Sequence, residues 1–303
     1  MTLGILTYQR PEGLRRTLAS IDDSVVRTVA PPWRIDDVII IDNDRHPSAE
    51  AIVEEVRAAG HPLPLVYYHE PEPGLAAARN RALDEARGRV LVFIDDDESA
   101  GPGWPGGLLA TMSATGAALV GGPVRTIFTA DPPGWIGALF DRPEPDDGAA
   151  QPWLRSGNLA IDLGAIRREG LRFDPAYAAS GGEDVAFSWA ARLAGLRLAW
   201  SATAIVEEHV GPERTIVRWV TTRERSSTAN WVRIETAHHP GLARRFLIAG
   251  RGTARFAQGA MTASAGALTL DSARAVRGLV IASRGIGSFQ GLARRGGVSY
   301  HRS

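Results

Sequence analysis

The sequence predicts an α/β fold: a mostly parallel sheet with helices on both faces, followed by a helical C-terminal extension. Three observations predict it. Strand and helix signals alternate through the first hundred residues, the repeated βαβ pattern of a doubly wound sheet. Residues 90–94 (Val-Leu-Val-Phe-Ile) form an unbroken apolar run rich in β-formers, as expected of a strand buried on both faces. From about Pro212 onward the strand signals stop and the chain reads as helix.

The elements follow in order. Residues 3–7 are a strand, and residues 11–24 a helix that opens on Pro11, where a missing backbone N–H costs nothing. Residues 38–42 make a second strand, 48–59 a helix, 65–69 a third strand, 74–87 a helix and 90–94 the fourth strand. Residues 101–151 are rich in Gly and Pro, which leaves a helix near 108–115 and a strand near 118–124. Residues 126–151, with Trp135, Pro143 and Pro145, read as a mobile loop. A strand at 158–162, a helix at 184–194 and an extended segment at 199–206 complete the body.

With 303 residues, 44% hydrophobic and 22% charged, the chain has the composition of a soluble globular protein of one large or two modest domains. It has no cysteine, which rules out disulfides and thiolate-held metals and suits a reducing compartment. The uncharged run 99–124 contains three prolines and seven glycines, so it cannot be one membrane-crossing helix. Residues 2–8 read as a strand, not a signal peptide. The zero net charge hides an asymmetry: residues 241–303 carry ten Arg and one acid, net +9, against −9 for residues 1–240. A basic tail on an acidic body suits an anionic surface, membrane or nucleic acid.

The chemistry-bearing residues gather at predicted strand ends, where open α/β sheets bind ligands. Asp95, Asp96, Asp97 and Glu98 emerge together after the fourth strand, and such oxygen ligands suit Mg²⁺ or Mn²⁺ bridging a carboxylate to a diphosphate. Thr7, Tyr8 and Arg10 end the first strand and Asp42 the second. There Asp42 could accept from a base N–H, Tyr8 stack on a ring and Arg10 face phosphate; each also suits a turn or cap. Arg79, in Gly-Leu-Ala-Ala-Ala-Arg-Asn, has the planar fork for a diphosphate, or lies on a surface helix beside the Arg81–Glu85 spacing. Glu183 and Asp184 follow Ser180, Gly181 and Gly182 at a helix start, where a carboxylate is either a cap or a general base. His209 becomes a metal ligand only if Asp97 places a metal beside it.

In this order the motifs resemble one family. Thr-Tyr-Gln-Arg-Pro, Ile-Asp-Asn, Gly-Leu-Ala-Ala-Ala-Arg-Asn, the Asp-x-Asp strand end, Gly-Gly-Glu-Asp and a later His look like a family 2 glycosyltransferase of the Rossmann-like GT-A fold, similar to bacterial exopolysaccharide and succinoglycan-type glucosyltransferases. The resemblance covers about residues 1–225. It implies inverting transfer from a nucleoside-diphosphate sugar, UDP-linked, to a glycan or lipid-linked acceptor, with Mn²⁺ or Mg²⁺. By position it puts Thr7, Tyr8, Arg10 and Asp42 at the nucleoside, and Asp95 and Asp96 at ribose and phosphate. It makes Asp97 the metal carboxylate, His209 a further ligand, Asp184 the base and Glu183 an acceptor or sugar contact. Asn158, in Ser156-Gly157-Asn158, matches a strand lining the donor–acceptor junction. Trp153 and Trp135 could stack on sugars. One departure is Gln9, where Asn is usual. A sugar-nucleotide nucleotidyltransferase and an inactive GT-A-like binding module are the alternatives.

The expected organisation is a nucleotide-sugar half at 1–100, an acceptor and catalytic half at 101–211 and a basic helical extension at 212–303. A helix from Leu242 would align Phe246, Ala249, Phe256 and Ala260 opposite Arg244, Arg251 and Arg255. Further basic residues up to Arg294 and Arg295 continue the mixture with a less clean face. Such a segment suits the inner face of the cytoplasmic membrane, or packing on the catalytic part or a second subunit. A cytoplasmic enzyme in peripheral membrane contact, without nucleic acid, is the expectation.

Overall fold

The computed structural model describes residues 1–137, 143–177 and 181–293, which form two compact units. Ser180, Arg294 and Arg295 lie outside the described residues, as do residues 138–142 of the expected loop.

The first unit comprises Met1–Ile127, Glu144–Ala178 and Glu183–His209. Its elements run β1 (Thr2–Thr7), α1 (Pro11–Ser20), α2 (Asp23–Arg27), β2 (Asp37–Asp42), α3 (Glu50–Ala58), β3 (Leu65–His69), α4 (Leu75–Glu85) and β4 (Val90–Asp95). There follow β5 (Glu98–Ala100), α5 (Gly106–Thr115), β6 (Leu119–Gly121), β7 (Val124–Phe128), β8 (Asn158–Asp162), α6 (Leu163–Arg168), α7 (Glu183–Leu193), β9 (Leu198–Trp200) and β10 (Val206–Val210). Seven strands make one sheet in the order β3-β2-β1-β4-β8-β6-β9. Only β8 runs against its neighbours β4 and β6; the other pairings are parallel. The sheet is the mixed, mostly parallel one that the alternating signals predict.

Burial on both faces explains the uninterrupted apolar strands. Along β4, Val90, Val92 and Ile94 enter one core with Leu14, Leu18 and Trp104, while Leu91 and Phe93 enter the other with Phe173 and Phe187. A second, three-stranded sheet has the order β5-β10-β7.

Several boundaries differ from expectation for local reasons. The helix expected over 11–24 ends at Ser20 and restarts at Asp23, because the Asp22 carboxylate accepts from the backbone N–H groups of Ser24 and Val25. The strand expected near 118–124 divides at Gly122-Pro123: β6 stays in the large sheet and β7 joins the small one. The expected loop therefore starts as strand, through Phe128. Helix α6 was not predicted, and the Asp162 carboxylate caps it by accepting from Ala165 N.

The second unit comprises Phe128–Pro143, Ala179–Gly182 and Val210–Ser303. It is dominated by α8 (Val217–His238), α9 (Leu242–Leu268) and α10 (Ser272–Leu292). Ile136, Val220, Val276 and Val280 form its buried apolar cluster, with Trp135 and Trp219 partly buried against it. Trp135 is a packing residue here.

Candidate active site

Parallel pairing of β1 with β2 and β4 brings three strand ends to one edge: Thr7 opposite Asp42, and Leu6 opposite Asp95. The turn after β1 puts Gln9 at φ 52°, the left-handed region that Asn tolerates better than Gln. Its side-chain amide donates to Asp44 at 3.2 Å. The turn carries Arg10 back onto the acidic strand end, where one guanidinium nitrogen donates to Asp96 at 3.0 Å and to Asp97 at 2.7 Å. Asp96 is buried and also accepts from the Thr7 hydroxyl and, at 3.4 Å, from Tyr8 N. Gly13 lets α1 approach: a Cβ there would lie 2.4 Å from the Asp96 carbonyl oxygen.

Asp42 is fully buried with both oxygens occupied. They accept from the Ser48 and Ala49 backbone N–H groups (2.6 and 2.8 Å), from Asp44 N (3.2 Å) and from the Tyr67 hydroxyl (2.9 Å). Asp42 thus organises the loop after β2, and contact with a base would have to share these bonds.

The acid cluster is held together by more than counter-charge. Glu98 is buried, and its carboxylate accepts from Asp95 N at 2.9 Å. Burial pushes the Asp95 carboxyl up to about 7, with Arg79 opposing and Asp97 and Asp96 reinforcing the rise. Burial and the Asp95 charge push Glu98 well above the usual carboxylate range. Two carboxyls this close in a desolvated site do not both ionise readily. Gly157 closes over them: a Cβ there would lie 2.6 Å from Glu98 Oε1 and 3.3 Å from Asp95 Oδ2.

Pairing of β5 with β10 brings His209 beside Asp97, with His209 N donating to the Asp97 carbonyl at 2.9 Å. The imidazole Nε2 meets Ser99 Oγ at 2.9 Å, which orients the ring. Burial lowers the His209 pKa, favouring the neutral imidazole that ligates metals. The donor set of one carboxylate and one imidazole fits a hard divalent cation that completes its shell with phosphate oxygens and water. Among the described residues no group of three or more His, Asp or Glu forms a closed metal site.

Gly181 and Gly182 have φ of 74° and 89°, a backbone course open to glycine, and lead into the first turn of α7. There Glu183 is buried and ion-paired with Arg79 from α4. Arg79 also feels the charges of Asp95 and Asp184, so one guanidinium links the β4 end to the α7 start. Arg79 is no surface residue, although Arg81 and Glu85 on the same helix do form the expected i,i+4 pair at 2.9 Å. Asp184 is only partly buried, and its carboxylate accepts from Val185 N at 2.7 Å.

Asn158 is 2% exposed, with its amide tied into the fold: Oδ1 accepts from Trp104 Nε1, and Nδ2 donates to the carbonyls of Pro123 and Ala204. It secures β8 beside the acid cluster. Trp153 is partly exposed, with the Arg155 guanidinium 5.9 Å from its ring centre, and the next residue, Leu154, is tied to α7 through Ser188. The structure thus gathers Thr7, Tyr8, Arg10, Asp96 and Asp97, then Asp97 with His209, and Arg79 with Glu183. The Asn158 side chain bonds instead to Trp104, Pro123 and Ala204. Sequence reasoning passed over Ser99, Gly13 and the burial of Glu98; a serine two residues after Asp97 carries no signal until β5 pairs with β10.

Comparison with solved structures gives the fold. The mannosyltransferase PcManGT from Pyrobaculum calidifontis, in complex with GDP-Man and Mn²⁺, matches with a TM-score of 0.64 and 18% identity, over 97% of this chain and 87% of that one. GalNAc-T7 with UDP, GalNAc and Mn²⁺ matches with a TM-score of 0.55 and 18% identity, over 77% of this chain and 47% of that one. This fold, taken with the family match that follows, is that of a glycosyltransferase of the GT-A class. The profile described as "Glycosyl transferase family 2" matches residues 2–166, and the succinoglycan biosynthesis protein ExoM of Rhizobium meliloti (strain 1021) is 36% identical over 225 residues, 73% of this chain and 70% of ExoM. The chain belongs to glycosyltransferase family 2. Asp184 and His209 lie beyond the profile match.

Proposed function

We propose that the protein is a metal-dependent inverting glycosyltransferase that moves a sugar from a nucleoside-diphosphate sugar, with UDP as the preferred donor, to a hydroxyl of a glycan or lipid-linked acceptor. The observation that carries this reading is the juxtaposition of Asp97 and His209, brought together by the β5–β10 pairing. The nucleotide–Mn²⁺ complexes of the two structural neighbours support a divalent cation and a nucleotide donor.

In this reading Asp97 and His209 hold Mn²⁺ or Mg²⁺, which supplies charge neutralisation for the departing diphosphate. Thr7, Tyr8, Arg10 and Asp42 frame the nucleoside, and Asp95 and Asp96 face ribose and phosphate. Arg10, bound to Asp96 and Asp97 in this structure, stands at the same strand end and would face the donor phosphates. Asp184 removes the proton of the acceptor hydroxyl, and that oxygen bonds to the anomeric carbon from the face opposite the diphosphate. The carbon–oxygen bond to the diphosphate breaks with its electron pair, inverting the centre. Arg79 and Glu183 set the position of Asp184, and Trp153 offers a sugar-stacking face. Asn158 acts through β8 and not on the sugar. Residues 1–100 take the donor and 101–211 the acceptor, with 212–303 an accessory helical region of a cytoplasmic enzyme.

Incubation with UDP- and GDP-sugars and an acceptor panel, with Mn²⁺ or with chelator, tests this. Nucleoside diphosphate should appear only with metal, and the product should have the opposite anomeric configuration to the donor. Metal-independent turnover or retained configuration would refute the mechanism.

A further inference from the structure

Helices α9 and α10 form a hairpin packed through glycines. A Cβ on Gly259 would lie 2.3 Å from Ala282 N, on Gly266 2.3 Å from Ala275 N, and on Gly278 2.2 Å from Ala263 N. Gly252, Gly259 and Gly266 recur every seven residues, so one side of α9 is committed to α10 along most of its length. The rest of the helix is therefore presented outward. At 100° per residue, Leu242, Phe246, Leu247, Ala257, Met261 and Leu268 fall within an arc of about 140° that contains no charged side chain. Phe246 is 75% exposed, Met261 67% and Leu268 86%. This uncharged face is about 40 Å long.

The basic residues lie along its edge. Arg244, Arg251 and Arg255 occupy a neighbouring arc of α9, and Arg274 and Arg277 line a cleft with Trp135 and Thr262. Arg244 is paired with Glu235 and Arg284 with Glu224, while Arg251, Arg255, Arg274 and Arg277 have no ion-pair partner among the described residues. Residues 242–292 contain seven Arg and one acid, Asp271. A second copy of this surface would bring like charge against like charge. An anionic bilayer complements it, with the apolar face entering the headgroup boundary and the guanidinium groups meeting lipid phosphates. Among the described residues no helix is long and apolar enough to cross a membrane, so such a hairpin would lie in the interface plane.

We propose that the outward face of the α9–α10 hairpin is a docking surface for an anionic lipid bilayer. It rests on the hairpin's own surface and not on the glycosyltransfer mechanism, so its test needs no turnover. The full-length protein is sedimented with vesicles of phosphatidylcholine alone or with added phosphatidylglycerol. It should bind the anionic vesicles at least tenfold more tightly, and rising salt should weaken binding. Arg251→Gln with Arg255→Gln should weaken it about 30-fold, at about 1 kcal/mol per arginine. Phe246→Ser with Leu268→Ser should abolish it with an unchanged melting temperature, since both side chains are exposed. Failure to bind anionic vesicles at low salt would overturn the proposal. So would a stable dimer that the Phe246/Leu268 variant dissociates, which would assign the face to a second copy. A chain that binds vesicles but turns over no donor would refute the catalytic reading alone.

Discussion

Arg79 on α4 and Glu183 on α7 form an ion pair with side-chain exposures of 5% and 3%. Burial pushes the Glu183 carboxyl up while Arg79 holds it down. Breaking a buried pair by removing one partner leaves a bare charge and costs about 3–5 kcal/mol. Glu183→Ala should lose that much in urea unfolding, and adding Arg79→Met should restore part of it. An Ala variant as stable as wild type would show that this pair does not secure the start of α7.

Asp97 is a partly exposed strand-end carboxylate ion-paired with Arg10. Asp97→Ala should leave the melting temperature within a few degrees of wild type while removing metal-dependent turnover. Chelator should inhibit the wild type, and Mn²⁺ or Mg²⁺ should restore it. Wild-type activity of the variant in Mn²⁺ would exclude Asp97 as the metal carboxylate.

Asp184→Asn keeps the shape and the acceptor oxygen that meets Val185 N, and removes only the basicity. We expect kcat to fall about 10²–10⁴-fold, the usual worth of general-base help, with donor affinity little changed. A lower melting temperature with normal specific activity would make Asp184 a helix cap instead.

Burial first, and then its bond to Asp42, raise the Tyr67 pKa well above the ordinary tyrosine value. A raised folded pKa means a contribution to stability that is complete below the unfolded value of about 10 and is lost as pH climbs through the folded one. Ultraviolet difference titration should show a tyrosine that ionises late, and Tyr67→Phe should remove it. Ionisation of all tyrosines together near pH 10 would contradict the Asp42–Tyr67 geometry.

The glycine contacts give a paired test in α9. Gly259→Ala drives a methyl into α10 and should cost about 1–3 kcal/mol. Gly250, with nothing within 4 Å of its added Cβ, should gain up to about 1 kcal/mol from helix propensity in Gly250→Ala. Equal effects at the two positions would mean that the hairpin is not packed this way.

The sequence by itself determined the strand–helix order of the first hundred residues, because burial on both faces writes an unbroken apolar run such as 90–94 that local reading detects. It also determined which acids stand at strand ends, since these interrupt the apolar runs. Other features depended on partners distant in the chain. The antiparallel course of β8, the meeting of His209 with Asp97 across β5 and β10, and the burial of Arg79 against Glu183 are all contacts between segments far apart in sequence. Spacing in one segment carries no record of them. The same holds for Asn158, whose side chain accepts from Trp104 and donates to the carbonyls of Pro123 and Ala204. On α9 the periodic pattern revealed apolar and basic sides, but only packing decided that the glycine row, and not Phe246, faces α10. Close helix approach favours the residue with no side chain, a preference that hydrophobic periodicity does not score.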